Sequence, residues 1–377
     1  MRNERVLISG AGIAGQALGY LLARNGFRPT IVERAGTLRR GGQGVDIRDE
    51  ALEVGERMGI LARVRAAGAD VLGMRFVDAA GARVSEVRLR RPGDEPAADV
   101  EIMRGDLIEL LHEIGSGAVE YRFGDSIETL EQDRDGVTVT FEHAAAERFD
   151  LVIGADGLHS RVRRLAFGPE RDHARHMGHY FAFGDADASL GPDRWVTMYN
   201  APGAMAGLYR SGNHPQAKAY FMFRSPRLDL DPRDPATAHL LLTRHFGHRT
   251  AWQIPRLLDG VLADPDLYFD SLTQIRMSAW STGRVALVGD AAYSPSPASG
   301  AGAELALVGA DRLAAALTAA DGDHQRAFPR YTATHLPLTR TKQRLGPNLR
   351  LMIPKTHGGI VFRNVLTRLP MPRPLGA

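Results

Sequence analysis

Cysteine is missing from all 377 residues, which excludes disulfides, thiolate nucleophiles and iron–sulfur clusters. Lysine is nearly missing too: Lys218, Lys342 and Lys355 are the only three, and arginine carries almost all the positive charge. The net charge is only +3 although the sequence pI is about 9.3. Acids and bases alternate along the chain, and no basic stripe interleaved with aromatics appears, so nucleic acid is not an expected partner. No apolar run approaches the roughly 20 residues needed to span a bilayer, so no membrane association is expected. Met1-Arg2-Asn3-Glu4 leads directly into an apolar strand, leaving no room for a signal peptide. These absences point to a cytoplasmic protein. Its 44% hydrophobic and 24% charged residues are those of an ordinary globular chain, long enough for two domains.

Residues 1–72 read as a βαβ unit, with strand Val6–Ser9, helix Ala14–Asn25 closed by Gly26, and strand Pro29–Glu33. A further helix is predicted from Glu50 to about Met58. Between Gly73 and Val100 the pattern turns short and strand-like, broken by Gly81, Pro92, Gly93 and Pro96. Helix Asp106–Gly115 follows, then strands Ile127–Gln132 and Gly136–His143 around an Asp133-Arg134-Asp135-Gly136 hairpin turn, and strand Leu151–Gly154. The stretch from His176 to about Ser225 is rich in Tyr, Phe and Met and alternates as an antiparallel sheet does; a helical patch covers His239–Phe246. After Arg276 the first style resumes, ending in helix Ala303–Ala320. Asp323–Leu345 is helical in pattern, but Pro329 and Pro337 should kink or divide it. The fold class is therefore α/β. A Rossmann-like nucleotide-binding domain (1–72, 101–175 and 271–322) carries an inserted antiparallel-sheet substrate domain (73–100 and 176–270). A C-terminal helical segment spans 323–377.

The strand-to-helix turn Gly10-Ala11-Gly12-Ile13-Ala14-Gly15 fits a dinucleotide. Gly10 permits the tight turn, Gly12 admits a pyrophosphate close to the backbone, and Gly15 permits close helix–strand packing. The helix start at Ala14 offers N–H groups to phosphate. Glu33 stands about 20 residues on, where a carboxylate accepts from ribose hydroxyls and disfavours a 2′-phosphate, so FAD or NAD suits the site better than NADP. Arg34 beside it is counted with the cofactor-binding residues. A tight turn without ligand is the plain alternative.

Two downstream segments narrow the choice. Asp150–Arg163 holds an apolar strand, then Asp156, Gly157, Ser160 and Arg163. Gly289-Asp290-Ala291-Ala292 follows a second such strand and precedes Pro297, Gly300, Ala301, Gly302 and Ala303. Asp156-Gly157 alone would read as a type I′ turn. With its neighbours, the stretch resembles the Asp-Gly motif of the single-component, class A flavoprotein monooxygenases, the 4-hydroxybenzoate hydroxylase type. The size and motif layout are most similar to those of the tetracycline-inactivating members.

The resemblance implies FAD held along its length. Asp156 would lie near the pyrophosphate and the nicotinamide path, with Arg163 toward NAD(P)H. Asp290 would lie on the ribityl chain, and the helix start Gly300–Ala303 would face the pyrophosphate and flavin ring. Arg104 matches an arginine near the flavin phosphates. Gly41-Gly42-Gln43-Gly44-Val45-Asp46 is similar to a loop whose acid, here Asp46, lies by the flavin; Arg39 upstream would then meet the nicotinamide nucleotide. For each arginine a solvated surface charge is the plain alternative. Tyr293 stands where the family usually has His, and Glu304 where Asn is common.

The implied activity is NAD(P)H-consuming monooxygenation through a flavin C4a-hydroperoxide, passing one atom of molecular oxygen to an aromatic or polyketide-like small molecule. No side-chain acid or base is strictly required. The aromatic and Met content of His176–Arg224 suits a flat apolar substrate, though a sheet core accounts for most of it; His179, Tyr180, Arg210 and Arg224 are the polar pocket candidates. Tyr293 and Glu304 keep open a flavoenzyme without oxygen transfer, a dehydrogenase or a flavin-scaffolded cyclase. Trp252-Gln253-Ile254-Pro255 faintly resembles a flavin halogenase motif, but its Gly-Trp portion is missing. A nucleotide-binding sensor is the alternative from outside enzymes, with C-terminal arginines such as Arg340, Arg344, Arg350, Arg363 and Arg368 docking a partner. The chain is expected as monomer or homodimer.

Overall fold

The computed structural model describes residues 3–38, 41–89, 99–231, 234–345 and 348–367. The chain divides into two compact units, Met1–Gly68, Ala98–Arg175 and Thr273–Arg344 against Ala69–Ala97, His176–Leu272 and Leu345–Ala377. The helical segment 323–377, grouped as one piece by its sequence pattern, is thus shared between them.

In the first unit a six-stranded sheet runs in the order Ser281–Thr282, Val285–Leu287, Leu151–Gly154, Arg5–Ser9, Arg28–Glu33, Glu120–Phe123. All neighbours are parallel except the short edge strand Ser281–Thr282. Val6, Leu7, Ile8, Leu151, Val152 and Ile153 are 0% exposed, as expected of parallel strands covered on both faces. Arg5–Ser9 lies between Leu151–Gly154 and Arg28–Glu33, so the ends of three strands and their turns converge.

The helix His324–Lys342 contains both Pro329 and Pro337 and is not divided. Its buried residues His324, Phe328, Tyr331, His335 and Thr339 recur every three or four positions and form one packed stripe. Each proline costs a helix interior about 3 kcal/mol. Tertiary packing of this stripe, rather than local propensity, holds the helix together across the two prolines.

In the second unit a seven-stranded sheet runs Tyr268–Ile275, Ala174–Ala186, Ala217–Arg224, Ala204–Tyr209, Trp195–Ala201, Gly73–Val77, Arg83–Arg88. From Ala174–Ala186 to Arg83–Arg88 its neighbours are antiparallel apart from the parallel pair Trp195–Ala201 with Gly73–Val77. Helices Pro235–Phe246 and Ile254–Ala263 cover one face, packing on Ala182, Ala206, Leu208, Ala219, Phe221 and Phe223. Among the described residues no helix is long and apolar enough to cross a membrane.

Candidate active site

Three glycines in the first turn have three different reasons to be glycine. Gly10 has φ +105°, and a Cβ there would lie 2.6 Å from the Ala155 carbonyl oxygen. A Cβ on Gly15 would lie 1.9 Å from the Gly10 oxygen, so helix and turn can meet only without it. Around Gly12 nothing stands within 4 Å of the Cβ position. The backbone there faces open space.

Helix Ile13–Arg24 has no side-chain cap, and its first internal bond runs from Gln16 N to Gly12 O at 2.9 Å. The amides ahead of Gln16 therefore have no acceptor within the helix, and Ala14 sits among them. Glu33 is held by two backbone donors, Ala11 N and Ala35 N, each at 2.9 Å. Arg34 is exposed. Just beyond, a cleft of about 720 Å³ is lined by Gly36, Thr37, Leu38, Glu109, His112, Glu113 and Phe123.

The Asp156 turn is a capping device. Its carboxylate accepts from Ser160 Oγ, from Arg161 N at 2.7 Å and from Val162 N at 3.1 Å, while Ser160 Oγ caps helix Arg161–Phe167 by accepting from Arg163 N. Burial pushes this carboxyl up from its ordinary range, and those donors pull it down. Gly157 has φ +78° but Asp156 does not take positive φ, so the turn is not type I′. Arg163 is 0% exposed. It donates to Ala291 O at 2.9 Å and Leu158 O at 2.6 Å, and pairs with Glu170 at 3.0 Å. So placed, it clamps this turn to the one carrying Asp290, with its guanidinium buried rather than presented to solvent. Arg39, the other candidate for the nicotinamide nucleotide, lies outside the described residues.

Asp290 opens the short helix Asp290–Tyr293 and is exposed, while Ala291, Ala292 and Tyr293 behind it are buried. Gly289, with φ +66°, lets that turn close on Ala14, whose Cβ would be 2.8 Å from a Cβ at Gly289. Gly300, also at +66°, backs onto Asp46: a Cβ would lie 3.1 Å from Asp46 Oδ2 and 2.8 Å from Arg48 Nη2. Arg48 donates to Gly300 O at 3.1 Å and pairs with Asp46. Burial pushes the Asp46 carboxyl up, Arg48 opposes this and Asp99 adds to it.

Helix Gly302–Ala319 starts after Ala301 without a side-chain cap, and its first internal bond is Leu305 N to Ala301 O at 3.0 Å. The amides of Gly302, Ala303 and Glu304 precede that bond. The Cβ position of Gly302 is open, as at Gly12. Arg104 begins helix Arg104–Gly115, its N–H bonded to Gln43 O at 3.0 Å and its stem packed on Gly42, where a Cβ would lie 3.1 Å from Arg104 Cβ. Asp46, Arg104, Gly300 and Gly302 thus share one neighbourhood. Arg48 was missed from sequence, although it stands two residues after Asp46 with the charge to pair it.

The two departures lie underneath. Tyr293 is 1% exposed and its hydroxyl meets that of Tyr331 at 3.0 Å, which also donates to Leu287 O at 3.1 Å. A Cβ on Gly309 would lie 1.9 Å from Tyr293 Oη, so Gly309 makes the room for the larger ring. Glu304 is 0% exposed and pairs with Lys342 at 2.8 Å.

In the second unit, cross-strand register sorts the side chains. Ala182, Ala206 and Phe221 share the helix-covered face; Phe181, Phe183, Met198, Met205, Tyr220 and Met222 share the other. Of the polar candidates, Tyr180 belongs to the helix side, stacked on Phe223 and Phe269, with its hydroxyl accepting from Leu228 N at 3.0 Å. Arg210 is tied to Gly191 O at 2.8 Å and Asp193 at 3.2 Å. His179 and Arg224 are register partners on the Met- and Phe-bearing face. Arg224 donates to Ile353 O at 2.8 Å. His179 is 3% exposed. Its Nδ1 lies 2.9 Å from Met177 O, which can only accept, so Nδ1 carries the proton. Burial, with Arg224, His176 and Lys355 nearby, lowers its pKa, so the ring is neutral and Nε2 is an acceptor, without a partner among the described residues. Trp252, at φ +49°, precedes helix Ile254–Ala263, its N–H bonded to Ala79 O at 2.7 Å.

A family model described as "FAD binding domain" matches residues 3–327. The chain belongs to the FAD-dependent monooxygenases. A flavin-dependent monooxygenase of Legionella longbeachae is 37% identical over 348 residues, covering 92% of this chain and 88% of the other. An uncharacterised protein of Mycobacterium tuberculosis is 44% identical over 332 residues, 88% and 89% of the two chains. The crystal structure of tetracycline destructase Tet(51) superposes with a TM-score of 0.85 at 34% identity, covering 97% and 96%. For an FAD-dependent monooxygenase the residues present fit the cofactor. Two uncapped helix starts, each beside an open glycine, offer amides to a pyrophosphate, and Glu33 ends the strand after the first of them, about where a ribose-binding carboxylate stands.

Proposed function

We propose that this FAD-dependent monooxygenase consumes NAD(P)H and transfers one oxygen atom to a flat, multi-ring, hydroxyl-bearing substrate of the aromatic or polyketide class. The balance is substrate, O₂, NAD(P)H and a proton going to oxygenated substrate, NAD(P)⁺ and water. Bound FAD supplies both the electron transfer and the oxygen transfer. In this reading Gly10, Gly12, Ala14 and Gly15 receive the pyrophosphate, Glu33 the ribose with Arg34 beside it, and Asp290 the ribityl chain. Arg104 and Asp46 flank the flavin, with the cap of Asp156 holding its turn in place. The helix start at Gly300, Ala301, Gly302 and Ala303 stabilises negative charge on the reduced ring.

The observation that supports the substrate class is the second unit's face of Phe181, Phe183, Met198, Met205, Tyr220 and Met222, with the His179 acceptor among them. Those side chains exclude water, and an unpartnered Nε2 favours a ligand hydroxyl that donates to it. Tetracycline, named for the 34%-identical destructase, has the rings and hydroxyls such a surface suits. Tyr293 and Glu304, which kept open a reaction without oxygen transfer, are both buried, so no observation favours that second reading.

The test is turnover of tetracycline under ¹⁸O₂ with NADPH and NADH, followed by mass spectrometry. One ¹⁸O per product molecule is expected. Product formed with no label, or NAD(P)H consumed with all oxygen recovered as hydrogen peroxide, would contradict the proposal.

A further inference from the structure

Glu304 stands in the first turn of helix Gly302–Ala319, a common place for an acid, but it is buried. It is 0% exposed, and apart from its ion pair with Lys342 neither carboxylate oxygen has a hydrogen-bond partner among the described residues. Lys342, the last residue of helix His324–Lys342, lies 2.8 Å from Glu304 and 2.8 Å from Asp49. One of the chain's three lysines is therefore placed between two carboxylates. Burial pushes the Glu304 carboxyl up; Lys342 pulls it down most strongly, Asp49 pushes it up and Arg48 pulls it down.

A fixed charge in the first turn acts on the same region as the helix dipole, and here the region is water-poor. An anionic Glu304 weakens the positive potential that the Gly302 and Ala303 amides present; the lysine restores it. Breaking such a buried pair leaves a carboxylate that either stays charged at high cost or takes up a proton.

We propose that Glu304 and Lys342 are a charge-setting pair that tunes FAD affinity and flavin midpoint potential through the start of helix Gly302–Ala319. This rests on the assignment of that helix start to the flavin. Both residues act through the helix and are positioning residues. Glu304→Gln removes a negative charge from beside the reduced flavin and shifts the midpoint potential positive. In Lys342→Met the carboxylate is released to titrate, with Asp49 and Arg48 as the remaining charges beside it. FAD binding then weakens, by about tenfold, as pH rises and Glu304 ionises. The double variant removes the titrating group and its pH profile is flat.

The experiment measures FAD Kd by fluorescence titration of apoprotein, and midpoint potential against a reference dye, on wild type, E304Q, K342M and E304Q/K342M. A positive shift in E304Q and a pH-dependent Kd in K342M that the second substitution abolishes are the expected results. A zero or negative shift in E304Q, or equal pH profiles in K342M and the double variant, would overturn the proposal. Where K342M does not fold, the sign of the E304Q shift decides. Wild-type apoprotein that takes up no FAD would instead overturn the cofactor assignment beneath it.

Discussion

Around Gly10, Gly12, Gly300 and Gly302 the first unit withdraws side chains so that backbone amides come forward, whereas the second unit's sheet puts Phe181, Phe183, Tyr220 and three methionines on one face. A surface made of backbone tolerates almost no change at the positions where chain meets chain, and recognises what every dinucleotide shares. A surface made of large, soft side chains tolerates exchange of one apolar group for another and recognises shape. Within one enzyme the first should govern cofactor binding and the second substrate choice, and variants can separate them.

The largest effect is expected at Gly15. In Gly15→Val the new Cβ falls 1.9 Å from a backbone oxygen, so strand and helix must part. No soluble flavin-bearing protein should accumulate, read by the yellow absorbance of the purified fraction. Gly12→Val sharpens the comparison, because its Cβ enters open space. The melting temperature of the apoprotein should stay within about 2 °C of wild type. FAD Kd should rise tenfold or more, a cost of about 1.4 kcal/mol. A destabilised apoprotein with unchanged Kd would show that the space at Gly12 is structural.

Phe183→Leu is the counterpart in the other unit. Removing part of one buried ring should cost about 1–2 kcal/mol, well below the loss of the whole side chain, so the protein should fold and bind FAD as wild type. Its KM for the oxygenated substrate should rise about tenfold, the discrimination a few methylenes supply. Equal loss of FAD binding would break the division of labour.

The smallest effect is on pH dependence. His335 is 0% exposed beside Arg312, Tyr293 and Tyr331, and its pKa falls from 6.5 to about 3, chiefly through burial and secondly through Arg312. Between those values the unfolded chain binds a proton that the folded chain refuses. Its contribution is therefore complete above pH 6.5 and is lost as pH falls toward 3. In His335→Leu the decline of melting temperature over this range should be shallower than in wild type.

The same contrast explains what could be read from residues alone. Glycine turns are legible because backbone chemistry is local: Gly10, Gly12, Gly15 and Gly300 announce their geometry within a few residues. The phase of Tyr180 against His179 is not, because it depends on register with Phe223 and Arg224 more than forty residues away. Arginines divide the same way. Arg104 falls at the start of a helix as its spacing suggests, while Arg163 faces inward to Ala291 O, a partner 128 residues on that no local pattern reveals. Pro329 and Pro337 mislead for a related reason, since packing of a distant surface against the helix outweighs their local cost. The pairing of Glu304 with Lys342, from two different helices, is equally invisible in the chain order.

The most direct test of the account is the visible spectrum of the purified protein under nitrogen, titrated with NADPH in the absence and presence of a candidate multi-ring phenol. Flavin bands should bleach slowly with NADPH alone and faster with the phenol, and return when oxygen is admitted with formation of oxygenated product. Flavin bands that only dithionite bleaches, with or without the phenol, would contradict it.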